Sequence, residues 1–135
     1  MPDDFQPFSD ETSDHYKLVY EEHPGYFFAC VQAGVLSDEL LNEYKQKIAH
    51  EISIRRSCDR VMIKRDVPLS ASAIELCAVI YKVQNWQMRP IKYAFVDVNP
   101  QHLVAYKLSI LYARSHGIDV EIFGDVRAAE HWLLS

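Results

Sequence analysis

Four polar residues lie near the ends of two predicted strands, and their types suit ligand binding or proton transfer. Asp66 follows one of these strands, Asp97 lies near the end of the next, and Asn99 and His102 come shortly after. Open α/β sheets bind ligands at the carboxyl ends of their parallel strands. We therefore expect Asp66, Asp97, Asn99 and His102 to form one candidate binding edge. The alternative is that Asp97 serves only as a turn former or helix cap.

Two serines form a second candidate site beside this edge. Ser70 and Ser72 lie in the segment RDVPLSASAIEL, where a loop leads into a predicted helix. A helix N-terminus offers unpaired N–H groups and the positive pole of the helix dipole. A phosphate added to either serine could also pair with Lys64 or Arg65. In the alternative interpretation, the two serines only cap a buried helix.

Sequence signals for the common catalytic and metal sites are missing. None of the six histidines has a metal-ligand spacing such as HExxH, and there is no glycine-rich phosphate loop, nucleophile elbow or kinase signature. The three cysteines, Cys30, Cys58 and Cys77, are an odd number without CxxC spacing, which favours neither a disulfide framework nor a zinc site. We therefore predict a protein that is not an enzyme, with no catalytic residue, metal or cofactor.

The composition limits the partners and the compartment. Fourteen basic and 19 acidic residues give a net charge of -5, which disfavours nucleic acid as a partner. The longest apolar runs, YFFACV and IELCAVI, are far shorter than the roughly 20 residues of a membrane span. The N-terminus is acidic, unlike a secretory signal. We expect a cytoplasmic protein without a membrane span.

The residue patterns predict an α/β fold with a mostly parallel sheet of five strands and four helices. Residues 1–14 are acidic and without periodicity, so we expect a disordered tail followed by one domain over 15–135. YKLVYEEH and YFFACVQAG flank Pro24 and Gly25 and predict a hairpin, which gives one antiparallel edge strand. The later strands, at 60–64, 91–98 and 118–123, alternate with helices, and such crossovers make neighbouring strands parallel.

The last predicted strand and helix carry a recognisable set of residues. IDVEIFGDVRAAEHWL has a strand ending in Phe, an Asp two positions later, and a short helix with Ala and a final Trp-Leu, at positions Phe123, Asp125, Ala129, Trp132 and Leu133. Together with the order of the elements, this segment resembles the SpoIIAA-like branch of the STAS domain superfamily, the fold of the anti-sigma-factor antagonists. The resemblance covers about residues 16–134.

The resemblance implies a regulatory, protein-binding module rather than an enzyme. In the antagonists a phosphorylatable Ser, preceded by Asp, controls binding to a kinase-like anti-sigma factor. Ser70 and Ser72 occupy the corresponding turn here, and Leu69 and Ala71 precede them. The alternative within the same fold is a small-molecule or lipid-binding module, with a pocket between the helices that begin at Ser70 and Asn99.

The strand YFFACV has apolar residues facing both sides of the predicted sheet. Both faces of such a strand need cover, either from helices of the same chain or from a second chain. The sequence therefore also predicts a homodimer.

Overall fold

The computed structural model describes residues 8–12, 16–34, 38–67, 91–97 and 99–135. Six strands and three helices lie within these ranges: β1 (Phe8–Thr12), β2 (Lys17–His23), β3 (Tyr26–Gln32), α1 (Asp38–Ser53), β4 (Arg60–Asp66), β5 (Lys92–Asp97), α2 (Pro100–Ser115), β6 (Asp119–Phe123) and α3 (Val126–Leu133). No helix in the described part of the chain is long and apolar enough to cross a membrane.

The six strands form one sheet in which their spatial order equals their order in the chain. β2 pairs antiparallel with β1 and with β3, whereas β3, β4, β5 and β6 are parallel neighbours. The predicted α/β class, the hairpin and the parallel crossovers are confirmed. The fourth predicted helix, over 71–86, lies outside the described residues.

Strand β1 lies within residues 1–14, for which the amino-acid sequence predicts a disordered tail. Phe8–Thr12 pairs with residues 17–21 of β2, which gives the sheet six strands instead of the predicted five. Backbone groups of any composition gain hydrogen bonds by joining a sheet edge, so this strand needs little hydrophobic signal of its own. The remainder of the predicted tail lies outside the described residues.

Local sequence signals explain how the hairpin turn and the last helix form. Gly25 has φ 91° in the β2–β3 turn and Gly117 has φ 81° after α2, a left-handed conformation that glycine adopts at little cost. Asp125 caps α3, because its carboxylate accepts a 2.8 Å hydrogen bond from the Ala128 N–H. These residues allow the tight β2–β3 turn, the end of α2 and the start of α3.

The helices cover the sheet from two sides. α1 and α2 pack on one face, here called the inner face, where large side chains are almost fully buried: Leu18, Phe27, Ile48, Ile52, Ile63, Tyr93, Phe95, Tyr106 and Ile110. α3 packs on the opposite face, the outer face, against β4, β5 and β6. Its Ala129 and Leu133 are fully buried there with Met62, Ala94 and Val96.

Arg55 joins the end of α1 to the β2–β3 hairpin. Its Nε donates to Glu22 Oε2 at 2.7 Å, and its Nη1 donates to Glu51 Oε1 at 2.9 Å. The guanidinium also lies 4.0 Å from the centroid of the Phe27 ring. A planar, forked cation is needed to make these contacts together, and a lysine ammonium cannot replace it.

Arg55→Lys is therefore expected to lower the free energy of unfolding by about 1 kcal/mol, and Arg55→Ala by about 1–2 kcal/mol. Urea denaturation of the purified variants measures both losses. The neighbouring exposed Arg56 provides the matched control, and its replacement by alanine should change stability by less than about 0.5 kcal/mol. Equal effects at positions 55 and 56 would contradict the proposed role of Arg55.

Tyr26 joins the start of β3 to α3 and makes the fold sensitive to alkaline pH. Its hydroxyl donates to Glu130 Oε2 at 2.6 Å. Burial, and then this hydrogen bond, raises the pKa of Tyr26 above the ordinary value of 10.0. The folded protein therefore holds the phenolic proton more tightly than the unfolded chain does. The resulting stabilisation is complete below pH 10 and is lost as pH rises towards the raised pKa.

Tyr26→Phe is expected to flatten the fall in stability above about pH 10, because phenylalanine has no proton to lose. At neutral pH the same variant loses about 1 kcal/mol with the hydrogen bond to Glu130. Thermal unfolding of both proteins across the alkaline range measures the two slopes. Parallel slopes would show that the proton of Tyr26 does not contribute.

Candidate functional site

The carboxyl end of β5 carries a buried acid–imidazole pair. Asp97 is the last residue of β5, and His102 lies in the first turn of α2. His102 Nδ1 and Asp97 Oδ2 are 2.8 Å apart, and Asp97 Oδ1 accepts a 3.0 Å hydrogen bond from the Asn99 N–H. The residues are only 3% (Asp97) and 8% (His102) exposed. Both oxygens of the Asp97 carboxylate therefore make hydrogen bonds that hold the β5–α2 turn.

A buried arginine lies beside this pair at the end of β4. Arg65 is 3% exposed, and its Nη1 donates to the Tyr106 hydroxyl. Its Nη2 donates to the Tyr44 hydroxyl at 3.2 Å, and its guanidinium carbon lies 5.2 Å from the centroid of the Tyr106 ring. These hydrogen bonds join β4 to both helices of the inner layer. A charge-assisted bond of this kind is stronger than one between neutral groups.

The register of β4 and β5 brings Arg65 next to the Asp97–His102 pair. Arg65 and Asp97 are direct partners in the parallel β4–β5 pairing, so their side chains leave the same face of the sheet. His102 and Tyr106 are four residues apart on α2, with ring centroids 6.3 Å apart. We call Tyr44, Arg65, Asp97, His102 and Tyr106 the edge cluster. It belongs to the inner face and lies at the carboxyl edge of the sheet.

The arrangement is suited to holding the edge in one shape. A buried charge is tolerated only where hydrogen bonds compensate for its lost hydration. Both charged members of the edge cluster meet this condition with partners from the chain itself, namely tyrosine hydroxyls for Arg65 and a backbone amide with an imidazole for Asp97. The cluster therefore links the ends of β4 and β5 to α1 and α2.

The structure brings together three of the four residues of the predicted binding edge and separates the fourth. Asp97, Asn99 and His102 are connected by hydrogen bonds, as described above. Asp66 is exposed and follows Arg65 in the strand, so its side chain leaves the opposite face of the sheet. Its carbonyl accepts a 3.0 Å hydrogen bond from the Ala33 N–H and so extends the sheet. Asp66 lies at the same edge but outside the edge cluster.

Ser70 and Ser72, the predicted phosphorylation candidates, lie outside the described residues. Lys64 and Arg65, their predicted phosphate partners, are described and face opposite sides of the sheet. Lys64 is half-buried on the outer face, and Arg65 is buried on the inner face with its hydrogen bonds to the two tyrosines. Lys64 and Arg65 therefore do not form one shared cationic site in this arrangement.

Sequence reasoning missed Tyr44 and Tyr106 and gave Arg65 a different role. The alternation of residues along β4 could have indicated that Arg65 is buried, because Arg65 faces the same side of the strand as the inward-facing Val61 and Ile63. An arginine at such a position needs buried acceptors. The tyrosines that supply them come from helices far apart in the chain, and only the folded structure identifies them.

Other reactive residues lie apart from the edge cluster. Among the described residues, no group of three His, Cys, Asp or Glu side chains could hold a metal ion. Cys58 is half-buried, and its Sγ donates to the Arg60 carbonyl at 3.1 Å. Burial raises the pKa of the half-buried Cys30 thiol, which slows its reaction with alkylating reagents. Cys77 lies outside the described residues.

Comparison with protein-family models finds no match to this chain, and comparison with curated protein sequences finds none either.

Proposed function

We propose that this protein is a non-enzymatic regulatory module that binds a protein partner through the carboxyl edge of its sheet, as in the STAS-like domains that its sequence resembles. The edge cluster is the observation that supports the proposal. Its charged side chains are nearly inaccessible to solvent and are hydrogen-bonded within the chain, which suits a scaffold better than a substrate site.

A rigid edge lowers the entropic cost of binding, because the surface is already ordered before the partner arrives. The edge cluster fixes the ends of β4 and β5. An exposed polar residue lies at or just after the carboxyl end of these two strands and of the neighbouring β3: Gln32 on β3, Asp66 on β4 and Asn99 after β5. In the proposed complex these three residues contact the partner. The buried cluster beneath them acts as their support.

The resemblance to the antagonists also suggests the kind of regulation. A kinase-like partner would bind the unmodified protein and release it after phosphorylation of Ser70 or Ser72, in a cytoplasmic setting. Phosphate at the beginning of a helix adds charge and acceptors close to the proposed binding edge. This part of the proposal rests on the sequence alone, since both serines lie outside the described residues.

Affinity capture from an extract of the native host tests the proposal with a matched pair of charge reversals. Asp66 and Asp59 are both exposed aspartates, at the carboxyl end of β4 and just before its amino end. We expect a protein that binds wild type and Asp59→Lys equally, and that binds Asp66→Lys about tenfold less. Equal capture by all three proteins would contradict binding through the carboxyl edge. A small molecule that stays bound through purification would favour the ligand-binding alternative.

A further inference from the structure

The two edge strands of the sheet, β1 and β6, differ in how strongly their sequences favour pairing with a further strand. An edge strand has a row of N–H and C=O groups that can pair with a strand of another chain. β1 reads FSDET and includes two acidic residues, which oppose such pairing. β6 reads DVEIF, and its Val120, Ile122 and Phe123 are typical of strands. β6 is therefore the edge that needs protection.

The side chain of Glu121 lies across the free side of β6. Glu121 and Ala94 are direct partners in the β5–β6 pairing, and Ala94 belongs to the outer face, so the Glu121 side chain leaves the strand on the outer face. Its carboxylate nevertheless forms an ion pair with Arg114 of α2, a helix that packs on the inner face. Arg114 Nη1 and Glu121 Oε2 are 3.3 Å apart. To reach Arg114, the Glu121 side chain must pass around the edge of the sheet.

The same carboxylate also occupies a backbone donor of the edge strand. The Ile122 N–H donates a 3.0 Å hydrogen bond to Glu121 Oε1, so its acceptor belongs to β6 itself rather than to a neighbouring strand. A strand added at this edge would need that N–H, and it would have to displace the carboxylate and break the ion pair with Arg114. Both side chains of the pair are partly exposed, so removing either should leave the core of the fold intact.

We propose that Arg114 and Glu121, here called the β6 guard, prevent β6 from pairing with β6 of a second copy of this protein. Two identical edge strands can pair antiparallel about a two-fold axis and join their sheets. The pairing that overlaps all five residues of β6 would place Glu121 opposite its own copy, where like charges are destabilising. Glu121 therefore opposes the pairing in two ways, because it occupies the Ile122 N–H and repels its counterpart.

Sedimentation velocity of the full-length protein over a series of concentrations tests this proposal. Glu121→Ala is expected to self-associate at least about tenfold more tightly than wild type. Asp119→Ala is the matched control, because it removes the same charge from the same face of β6, and it should sediment like wild type. Arg114→Ala leaves β6 itself unchanged and should also associate more tightly than wild type. Circular dichroism checks that each variant is folded.

Hydrogen exchange locates the new contact independently. Raising the concentration of Glu121→Ala should slow exchange several-fold in residues 120–122 and leave the other edge strand, β1, unchanged. The proposal is overturned if Glu121→Ala and Arg114→Ala both sediment like wild type, or if Asp119→Ala associates as tightly as Glu121→Ala. It is also overturned if Glu121→Ala associates without slower exchange in β6.

Discussion

Replacing Arg65 by alanine is expected to lower the free energy of unfolding by about 3–5 kcal/mol, the largest loss at any single position of the edge cluster. The variant removes a buried cation and leaves a cavity at the end of β4. It also takes away the donor that the Tyr44 and Tyr106 hydroxyls share. Equilibrium denaturation in urea, followed by circular dichroism, measures the loss.

Arg65→Met separates packing from hydrogen bonding, since methionine fills much of the same volume without a donor. We expect a loss smaller than that of Arg65→Ala but still above about 1 kcal/mol, because the two hydroxyls lose their charged donor. The exposed Arg56 is again the control, and Arg56→Ala should be nearly neutral. A loss at Arg65→Ala as small as that at Arg56→Ala would contradict the role of Arg65 in the fold.

Asp97→Ala is expected to lower the free energy of unfolding by about 2–4 kcal/mol and to loosen the β5–α2 turn. The side chain has two acceptor oxygens that hold the Asn99 N–H and His102 Nδ1. Without it, both groups are left inside a site that solvent hardly reaches. Binding of the captured partner should fall as well, because Asn99 lies on the proposed binding edge and depends on this turn.

Asp97→Asn is the conservative comparison for this position. Its amide oxygen can still accept the Asn99 N–H, so the turn should keep most of its stability and of its partner binding. Asp59→Ala, at an exposed aspartate before β4, controls for the loss of a negative charge alone. If Asp97→Ala and Asp59→Ala have the same stability, the buried carboxylate does not hold the edge.

Most of the strand order follows from local patterns in the sequence. Turn signals at Pro24 and Gly25, the cap at Asp125 and the left-handed Gly117 each act over a few residues, and the turn at Pro24 and Gly25 lies where the sequence predicts it. Strand β1 does not follow from a local pattern. Phe8–Thr12 has few β-forming residues, so its own sequence does not predict a strand, and its backbone pairs with β2 in the structure.

The sequence predicts only the part of the candidate site whose residues are close together in the chain. Asp97, Asn99 and His102 are close in the chain, so their proximity follows from one strand end and one helix start. Arg65 meets Tyr44 and Tyr106 across separations of 21 and 41 residues, which no local pattern specifies. Trp132, one of the residues that carry the family resemblance, is half-buried against Phe123, with the Lys92 ammonium 4.4 Å from its ring centroid.

Hydrogen exchange of the full-length protein, measured by mass spectrometry with and without the captured partner, tests the central claim most directly. We expect slower exchange at the carboxyl edge of the sheet, in residues 32–34, 66–67 and 99–102, where the edge cluster presents the exposed residues. The amino edge, at residues 23–25, 54–59 and 116–118, should exchange at the same rate in both samples. Protection confined to the amino edge would contradict the proposal that the carboxyl edge binds the partner.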